Sequence, residues 1–184
     1  MTAAIVLAAG ASRRMGQPKQ LALLAGETLL TRTLRICREA KLEPIIVVLG
    51  ANAEPVTRSV DLSSATVVIN ESWEEGMASS IRAGVESLSP EATGCVIVTC
   101  DMPALNVEHL RQLSACNTVT ASTYAGRRGV PAYFPTASFA ELRQLHGDTG
   151  ARVLLEAAPV LELFGGELDI DTPDDLLRAR KIFS

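Results

Sequence analysis

The chain contains no C-x-x-C pair. Its four cysteines, Cys37, Cys95, Cys100 and Cys116, stand apart, with no histidine spaced to complete a zinc site. Buried, reduced thiols are expected instead. Histidine is scarce: His109 and His146 are the only two, which excludes a histidine-rich metal centre and leaves little material for a serine triad. Long hydrophobic runs are missing too. The apolar stretch Ala3 to Ala9 is too short to cross a bilayer and no basic residue precedes it, so neither a membrane span nor a secretory signal is read, and a cytoplasmic location is expected. Nor is positive charge in excess. Lys and Arg number 17 against 21 Asp and Glu, a net charge of −4 that argues against broad binding to nucleic acid. A local basic cluster gripping a small anionic ligand stays open.

At 184 residues the chain is long enough for one continuous core, and a single domain over residues 1–184 is expected. With 47% hydrophobic and 21% charged residues, neither a disordered nor a fibrous class is indicated. Runs rich in Ile and Val recur at Ala3 to Leu7, Ile45 to Leu49, Thr66 to Ile69 and Cys95 to Thr99, with a weaker one at Thr118 to Ser122. They are apolar throughout rather than alternating, which predicts strands covered on both faces, as in a parallel sheet. Between the first two runs Leu30, Leu34 and Cys37 recur at helical spacing. Shorter helices are predicted at Ala78 to Leu88 and at Val107 to Leu113, the latter capped by Asn106. The order is β-α-β repeated, so the fold class is α/β, doubly wound and mostly parallel. In the second half Pro131, Pro135, Gly147, Gly150, Pro159, Gly165 and Gly166 mark turns, and a small antiparallel excursion is expected there. At the end, Thr172, Pro173 and Asp175 form the signature of a capped helix running to about Arg180.

The segment Leu7-Ala8-Ala9-Gly10-Ala11-Ser12-Arg13-Arg14-Met15-Gly16-Gln17-Pro18-Lys19 follows the first strand directly. Ligands of open α/β sheets collect outside the carboxyl ends of the strands, so this loop lies where a ligand belongs. Small residues let backbone N–H groups approach phosphate oxygens, and Arg13 and Lys19 add positive charge. The segment lacks the G-K-[ST] ending of the P-loop and the G-x-G-x-x-G spacing of dinucleotide folds. A second constellation, Val96 to Pro103, places Asp101 at the exit of a buried strand, where a carboxylate suits Mg2+ bound jointly with substrate phosphates. A third, Phe164 to Asp175, is rich in carboxylates. Asp174 and Asp175 are explained by helix capping. Asp169 and Asp171, two apart in what reads as an extended stretch, point the same way, so either can meet Asp101 across a metal.

On these residues the sequence resembles the molybdenum-cofactor type of nucleoside-triphosphate transferases, and within it the molybdenum cofactor cytidylyltransferases. The opening loop matches the family pattern L-A-A-G-x-S-x-R-M-G-x-x-K at every fixed position, and the resemblance runs in order to Asp169-Ile170-Asp171-Thr172-Pro173. It implies a nucleotide-diphospho-sugar transferase-like fold. It further implies that Leu7, Ala8, Ala9, Gly10, Ser12, Arg13 and Lys19 bind the nucleotide, with Lys19 at the reacting phosphoryl group and Arg13 and Asp101 also catalytic. Asp101 and Asp171 would hold Mg2+, and Ser79 and Ser80, in Gly76 to Arg82, would lie near the nucleoside. Gly147-Asp148-Thr149-Gly150-Ala151-Arg152 matches on the acceptor side. Two departures stand out: Met102 where Gln is common, and Val130 where a histidine usually separates glycine from proline.

The reaction so implied is attack of an acceptor phosphate on the α-phosphorus of a nucleoside triphosphate. CTP is the expected donor, a phosphorylated pterin cofactor the acceptor, and a molybdoenzyme or its chaperone a transient partner. A phosphate monoester, with its second pKa near ~6, is already largely ionised at neutral pH and needs no strong general base. Two rivals remain at this level: the same fold acting on GTP, a sugar phosphate or another phosphorylated metabolite, and a nucleotide-binding protein without chemistry.

Overall fold

A computed structural model describes residues 1–183. The chain begins with strand β1 (Thr2–Ala8), followed by a single 3-10 turn (Lys19–Leu21) and a short hairpin, β2 (Leu23–Leu24) and β3 (Glu27–Thr28). Helix α1 (Leu29–Glu39) leads to β4 (Ile45–Leu49), α2 (Ala53–Ser59) to β5 (Thr66–Ile69), and α3 (Met77–Glu86) to β6 (Gly94–Thr99). Then come α4 (Val107–Ser114), β7 (Thr120–Tyr124), β8 (Arg127–Pro135), the single-turn α5 (Phe139–Leu142) and α6 (Arg152–Leu155), β9 (Val160–Glu162) and α7 (Pro173–Phe183).

Seven strands form one sheet in the order β5-β4-β1-β6-β8-β7-β9. β1 pairs in parallel with both β4 and β6, and β8 is antiparallel to both β6 and β7. The α/β, mostly parallel and doubly wound architecture with an antiparallel excursion is therefore the observed one. Its physical basis is visible in the partition of side chains. Ala4, Val6, Ala8, Val47, Leu49, Val96 and Val98 pack on one face with Leu30, Leu34 and Leu110, whereas Ala3, Ile5, Leu7, Ile46, Val48, Cys95 and Ile97 pack on the other with Ile81, Val85 and Phe139. Strand side chains alternate between faces, and because helices cover both, every position must be apolar.

The helix ends follow their sequence signals. Thr28 caps α1 by accepting from Thr31 N, and Asn106 caps α4 by accepting from His109 N at 2.9 Å. At α7, Asp175 N donates to Thr172 Oγ1 at 3.2 Å while Thr172 N donates to Asp175 Oδ2 at 3.0 Å, a reciprocal capping box. A third small core, Met15, Ala22, Leu24, Leu29, Leu168, Ile170, Leu176 and Ala179, seats α7 beneath the opening loop.

Three expectations are corrected. β5 is not covered on both faces: Val67 and Ile69 are exposed, because it is the sheet edge. Pro131 and Pro135, expected to mark turns, lie instead within β8, with nine residues the longest strand, where the register shift accommodates Pro131. Residues 168–171 are not a strand; the backbone there is irregular and is anchored by Ile170 N donating to Asp101 O at 2.9 Å. The reduced thiols are as expected: all four cysteines are free, and burial pushes those of Cys37, Cys95 and Cys100 up to about 12. Among the described residues no helix is long and apolar enough to cross a membrane.

Candidate active site

Two clefts open along the carboxyl ends of β1 and β6. The first, about 530 Å³, is floored by Leu7, Ala8, Ala9 and Gly10 and walled by Arg13, Lys19, Trp73 and Ser80. The second, about 720 Å³, is walled by the β7–β8 hairpin and by Asp148, Arg152, Asp169 and Asp171. They adjoin, sharing Met77, Thr99, Asp101 and Asp148.

At the junction Lys19 Nζ donates to Asp101 Oδ2 at 2.5 Å and to Asp171 Oδ1 at 2.9 Å. Lys19 and Asp101 are largely enclosed, with 17% and 15% of their side chains exposed. Burial works against the Lys19 charge, but Asp101 and then Asp171 more than offset it and raise the ammonium above its usual range. Asp171 Oδ2 also accepts from Arg14 at 2.7 Å. Asp169 does not join this bonded set. Burial of its surroundings, then the charges of Asp101 and Asp171, push its carboxyl up to about 6, although its exposed surface lets water temper the effect.

The loop between β1 and Lys19 is shaped by side-chain hydrogen bonds. Gln20, almost wholly buried, donates from Nε2 to Ala8 O at 2.7 Å and to Gly10 O at 3.2 Å, and Asn52 Nδ2 donates to Gly10 O at 3.1 Å. Ser12 sits in the left-handed region, φ 55°, a conformation that costs a residue with a Cβ. Its hydroxyl accepts from Lys19 N at 3.0 Å, so the strained turn orients the lysine. Ser12 thus holds Lys19 in place, and it lines neither cleft.

Ser80 lines the first cleft, whereas Ser79 does not: its hydroxyl donates to Gly76 O at 2.8 Å and accepts from Asn70 Nδ2 at 2.8 Å, closing the turn before α3. Gly76 has φ 116°, and a Cβ there would lie 2.7 Å from Asp148 Cα, so only glycine lets the two loops meet. Arg82 braces the same wall, with bonds of 2.7 and 2.6 Å to the two Glu75 oxygens and one of 2.6 Å to Leu145 O.

Several residues escaped the sequence reading. Gln20, beside Lys19, and Asn52 carried no local signal. Arg14 did carry one, since it and not Arg13 is the fixed arginine of the loop pattern. The structure gives the two arginines different places: Arg14 bonds Asp171, while Arg13 lines the first cleft, without an ion-pair partner among the described residues. Arg127 and Arg128 of the hairpin line the second cleft.

The residues present suit a hard divalent cation. Oxygens of Asp101 and Asp171 converge on one cationic atom, Lys19 Nζ, and their negative charge adds to burial in raising Asp169. Among the described residues no group of three or more His, Cys, Asp or Glu is arranged as a metal cage. Two carboxylates plus substrate phosphates are the usual provision for Mg2+.

The model of the MobA-like NTP transferase domain matches residues 4–162. Asp169 and Asp171 lie beyond that match. The chain is 34% identical to the purine catabolism protein PucB of Bacillus subtilis (strain 168), covering 98% of this chain and 96% of that protein. It is 29% identical to the nicotine blue oxidoreductase of Paenarthrobacter nicotinovorans, covering 95% and 94%. Among solved structures, Rv0371c from Mycobacterium tuberculosis H37Rv superposes with a TM-score of 0.86 at 34% identity, covering 98% of this chain and 97% of the other. The complex of Rv0371c with manganese gives a TM-score of 0.82 at 32% identity, with 98% of both chains covered. With the whole β-α-β frame matched, the chain belongs to the MobA-like NTP transferase family, nucleotidyltransferases of the molybdenum-cofactor type.

Proposed function

We propose that the protein transfers CMP from CTP to the terminal phosphate of molybdopterin, releasing pyrophosphate, with Mg2+ as its metal. The observation that carries this reading is the meeting of two clefts at Asp101, each large enough for a small substrate, with Lys19 and Asp171 at the seam. A transferase must hold two substrates side by side, and this arrangement provides one chamber for each. The manganese in the Rv0371c complex supports a divalent cation here.

In this reading the first cleft takes the triphosphate. Arg13 draws it in, and Gly10 and the loop backbone hold its phosphates. Lys19 leaves its carboxylate partners and follows the negative charge that shifts toward the leaving pyrophosphate. Ser12 acts through Lys19, and Ser79 through Asn70, whose Nδ2 donates to both Ser79 and Ser80, as positioning residues. Asp101 and Asp171 would hold the metal, which supplies charge neutralisation of the phosphates when bound. The acceptor enters the second cleft, where Arg127, Arg128 and Arg152 offset the repulsion between its phosphate and the triphosphate. Because that phosphate is already ionised near neutral pH, the site needs no general base, in keeping with the absence of histidine from both clefts. A reaction that consumes CTP belongs in the cytoplasm, where triphosphates are made.

The test is pyrophosphate release by the purified protein with CTP and molybdopterin, with and without a chelator. Formation of the cytidine dinucleotide of the pterin, lost on chelation, is expected. Turnover with GTP alone, or only with a sugar phosphate, would replace the assignment of donor or acceptor. Nucleotide binding with no turnover on any acceptor would leave a binding protein.

A further inference from the structure

The wall of the second cleft is built on an irregularity in the sheet. Along β7 and β8 the register runs Ala121 opposite Ala132, then Ser122 opposite Gly129, so Val130 and Pro131 face no residue of β7. On the other side the pairing of β8 with β6 ends at Ala132. The carbonyls of Val130 and Pro131 therefore cannot be satisfied by a regular ladder, and unpaired buried carbonyls are costly. Two hydroxyls of β7 take the place of ladder amides: Tyr124 Oη donates to Val130 O at 3.0 Å, and Ser122 Oγ donates to Pro131 O at 2.5 Å.

Ser122 is wholly buried and is itself held. His109, on α4 and only 4% exposed, lies with Nε2 2.7 Å from Ser122 Oγ. The serine's one proton goes to Pro131 O, so Nε2 carries a proton and donates. Burial lowers the pKa of His109 and so disfavours the charged ring. Tyr124 is wedged as well, because a Cβ on Gly129 would strike its hydroxyl and one on Gly166 its ring. Bulges beside sites re-aim the residues they carry, and this one carries Arg128, Gly129 and Val130 into the cleft.

Building on the two-cleft reading above, we propose that His109, acting through Ser122, is a positioning residue that sets the acceptor-side wall of the second cleft. It touches neither cleft, so its effect falls on acceptor recognition and not on the donor. Trp73, the chain's one tryptophan, lines the first cleft and is the natural fluorescence probe with which to follow CTP there.

The test compares Ser122→Ala, His109→Ala and His109→Gln in steady-state transfer from CTP to molybdopterin. Loss of one buried, oriented hydrogen bond is worth ~1.4 kcal/mol, so KM for the acceptor should rise about tenfold in Ser122→Ala and His109→Ala, with kcat changed much less. CTP affinity, read from Trp73, should stay within about twofold of the parent, below the ~0.5 kcal/mol that unconnected substitutions cause. The glutamine variant, which retains an N–H donor, should recover most of the loss, and the double alanine variant should be no worse than Ser122→Ala alone. An unchanged acceptor KM in Ser122→Ala, or equal loss of donor and acceptor affinity, would overturn the inference. If no phosphorylated acceptor is turned over, the transferase reading falls by itself. Amide hydrogen exchange then decides the positioning role: faster exchange in Ser122→Ala confined to residues 120–135, slowed again in His109→Gln relative to His109→Ala, sustains it, and unchanged exchange there overturns it.

Discussion

Lys19 Nζ stands 2.5 Å from Asp101 Oδ2, and this pair joins a loop after the first strand to the exit of the strand beside it. Both side chains are mostly enclosed, so each holds the other's charge in place until substrate arrives. The same lysine also reaches Asp171, which makes it the common neighbour of both proposed metal ligands.

Asp101→Asn should keep the fold and lower turnover by on the order of 10²-fold, the equivalent of about 3 kcal/mol of charge stabilisation at the phosphates. Asp171→Asn should act similarly, and Asp169→Asn less, since Asp169 makes no bond to Lys19. Pyrophosphate release over a Mg2+ titration checks this. Near-parental rates in a folded Asp101→Asn protein would remove the metal assignment, and a larger loss at Asp169 than at Asp171 would exchange the two ligands.

Lys19→Ala should lower kcat by on the order of 10²-fold while CTP affinity, followed by Trp73 fluorescence, changes far less, because the ammonium acts mainly as charge shifts on the phosphoryl group. Arg13→Ala should do the reverse and weaken CTP binding. A loss of affinity with unchanged kcat in Lys19→Ala would make that lysine a plain binding residue.

CTP should be preferred over GTP, because the methyls of Ala8 and Ala9 in the first cleft leave room for a pyrimidine and crowd a purine, and the two alanines should contribute unequally. Ala9 packs with Trp73 on one face of the sheet, whereas Ala8 packs with Leu30 and Leu34 on the other. A Cβ on Gly50 would lie 2.8 Å from Trp73 Cβ and 2.9 Å from Ala9 Cβ, so this corner of the donor cleft is tight. One methyl in such a place is worth ~1 to 3 kcal/mol, a preference of tens to hundreds in kcat/KM. Ala9→Gly should relax it more than Ala8→Gly. Equal kcat/KM for the two triphosphates in the parent, or no change in either variant, would show that the base is read elsewhere.

The bidentate bond from Arg82 holds the Glu75 carboxyl down to about 2, well below its ordinary 4.5. A depressed carboxylate contributes stability above the unfolded-state value, and that contribution is lost as pH falls from there through the folded value. Urea midpoints of the parent and Glu75→Gln should therefore differ at pH 6 and converge between pH 4.5 and pH 2. A difference that stays constant over that range would show that the pair adds nothing pH-dependent.

Thr172→Ala removes both the acceptor for Asp175 N and the hydroxyl that donates to the Asp175 carboxylate. A cap of this kind is worth ~1 kcal/mol. Because α7 packs on Met15 beneath the nucleotide loop, CTP affinity should fall together with the melting temperature. Reduced stability with unaltered CTP binding would separate the helix from the loop.

The sequence by itself determined the central strands, because a strand covered on both faces must be apolar along its covered length, and β4 is throughout while β1 and β6 depart from it only at their end residues Thr2 and Thr99. It likewise determined the capped helices and the loop from Leu7 to Lys19, whose signals lie within a few neighbouring residues. Only the tertiary structure decided what depends on distant partners. Arg14 and Asp171 bond across 157 positions, and no local pattern says which arginine of a pair will turn toward which carboxylate. The resemblance assigns Ser12 and Ser79 to the nucleotide, and only the folded chain shows that each hydroxyl also bonds within the protein. β8 was hidden because its interruption at Gly129 to Pro131 becomes a strand only once Ser122 and Tyr124 supply the missing donors. Local sequence sets the conformations a segment can adopt; which of its polar groups face a ligand and which face each other is settled when topology brings separate segments to one edge of the sheet.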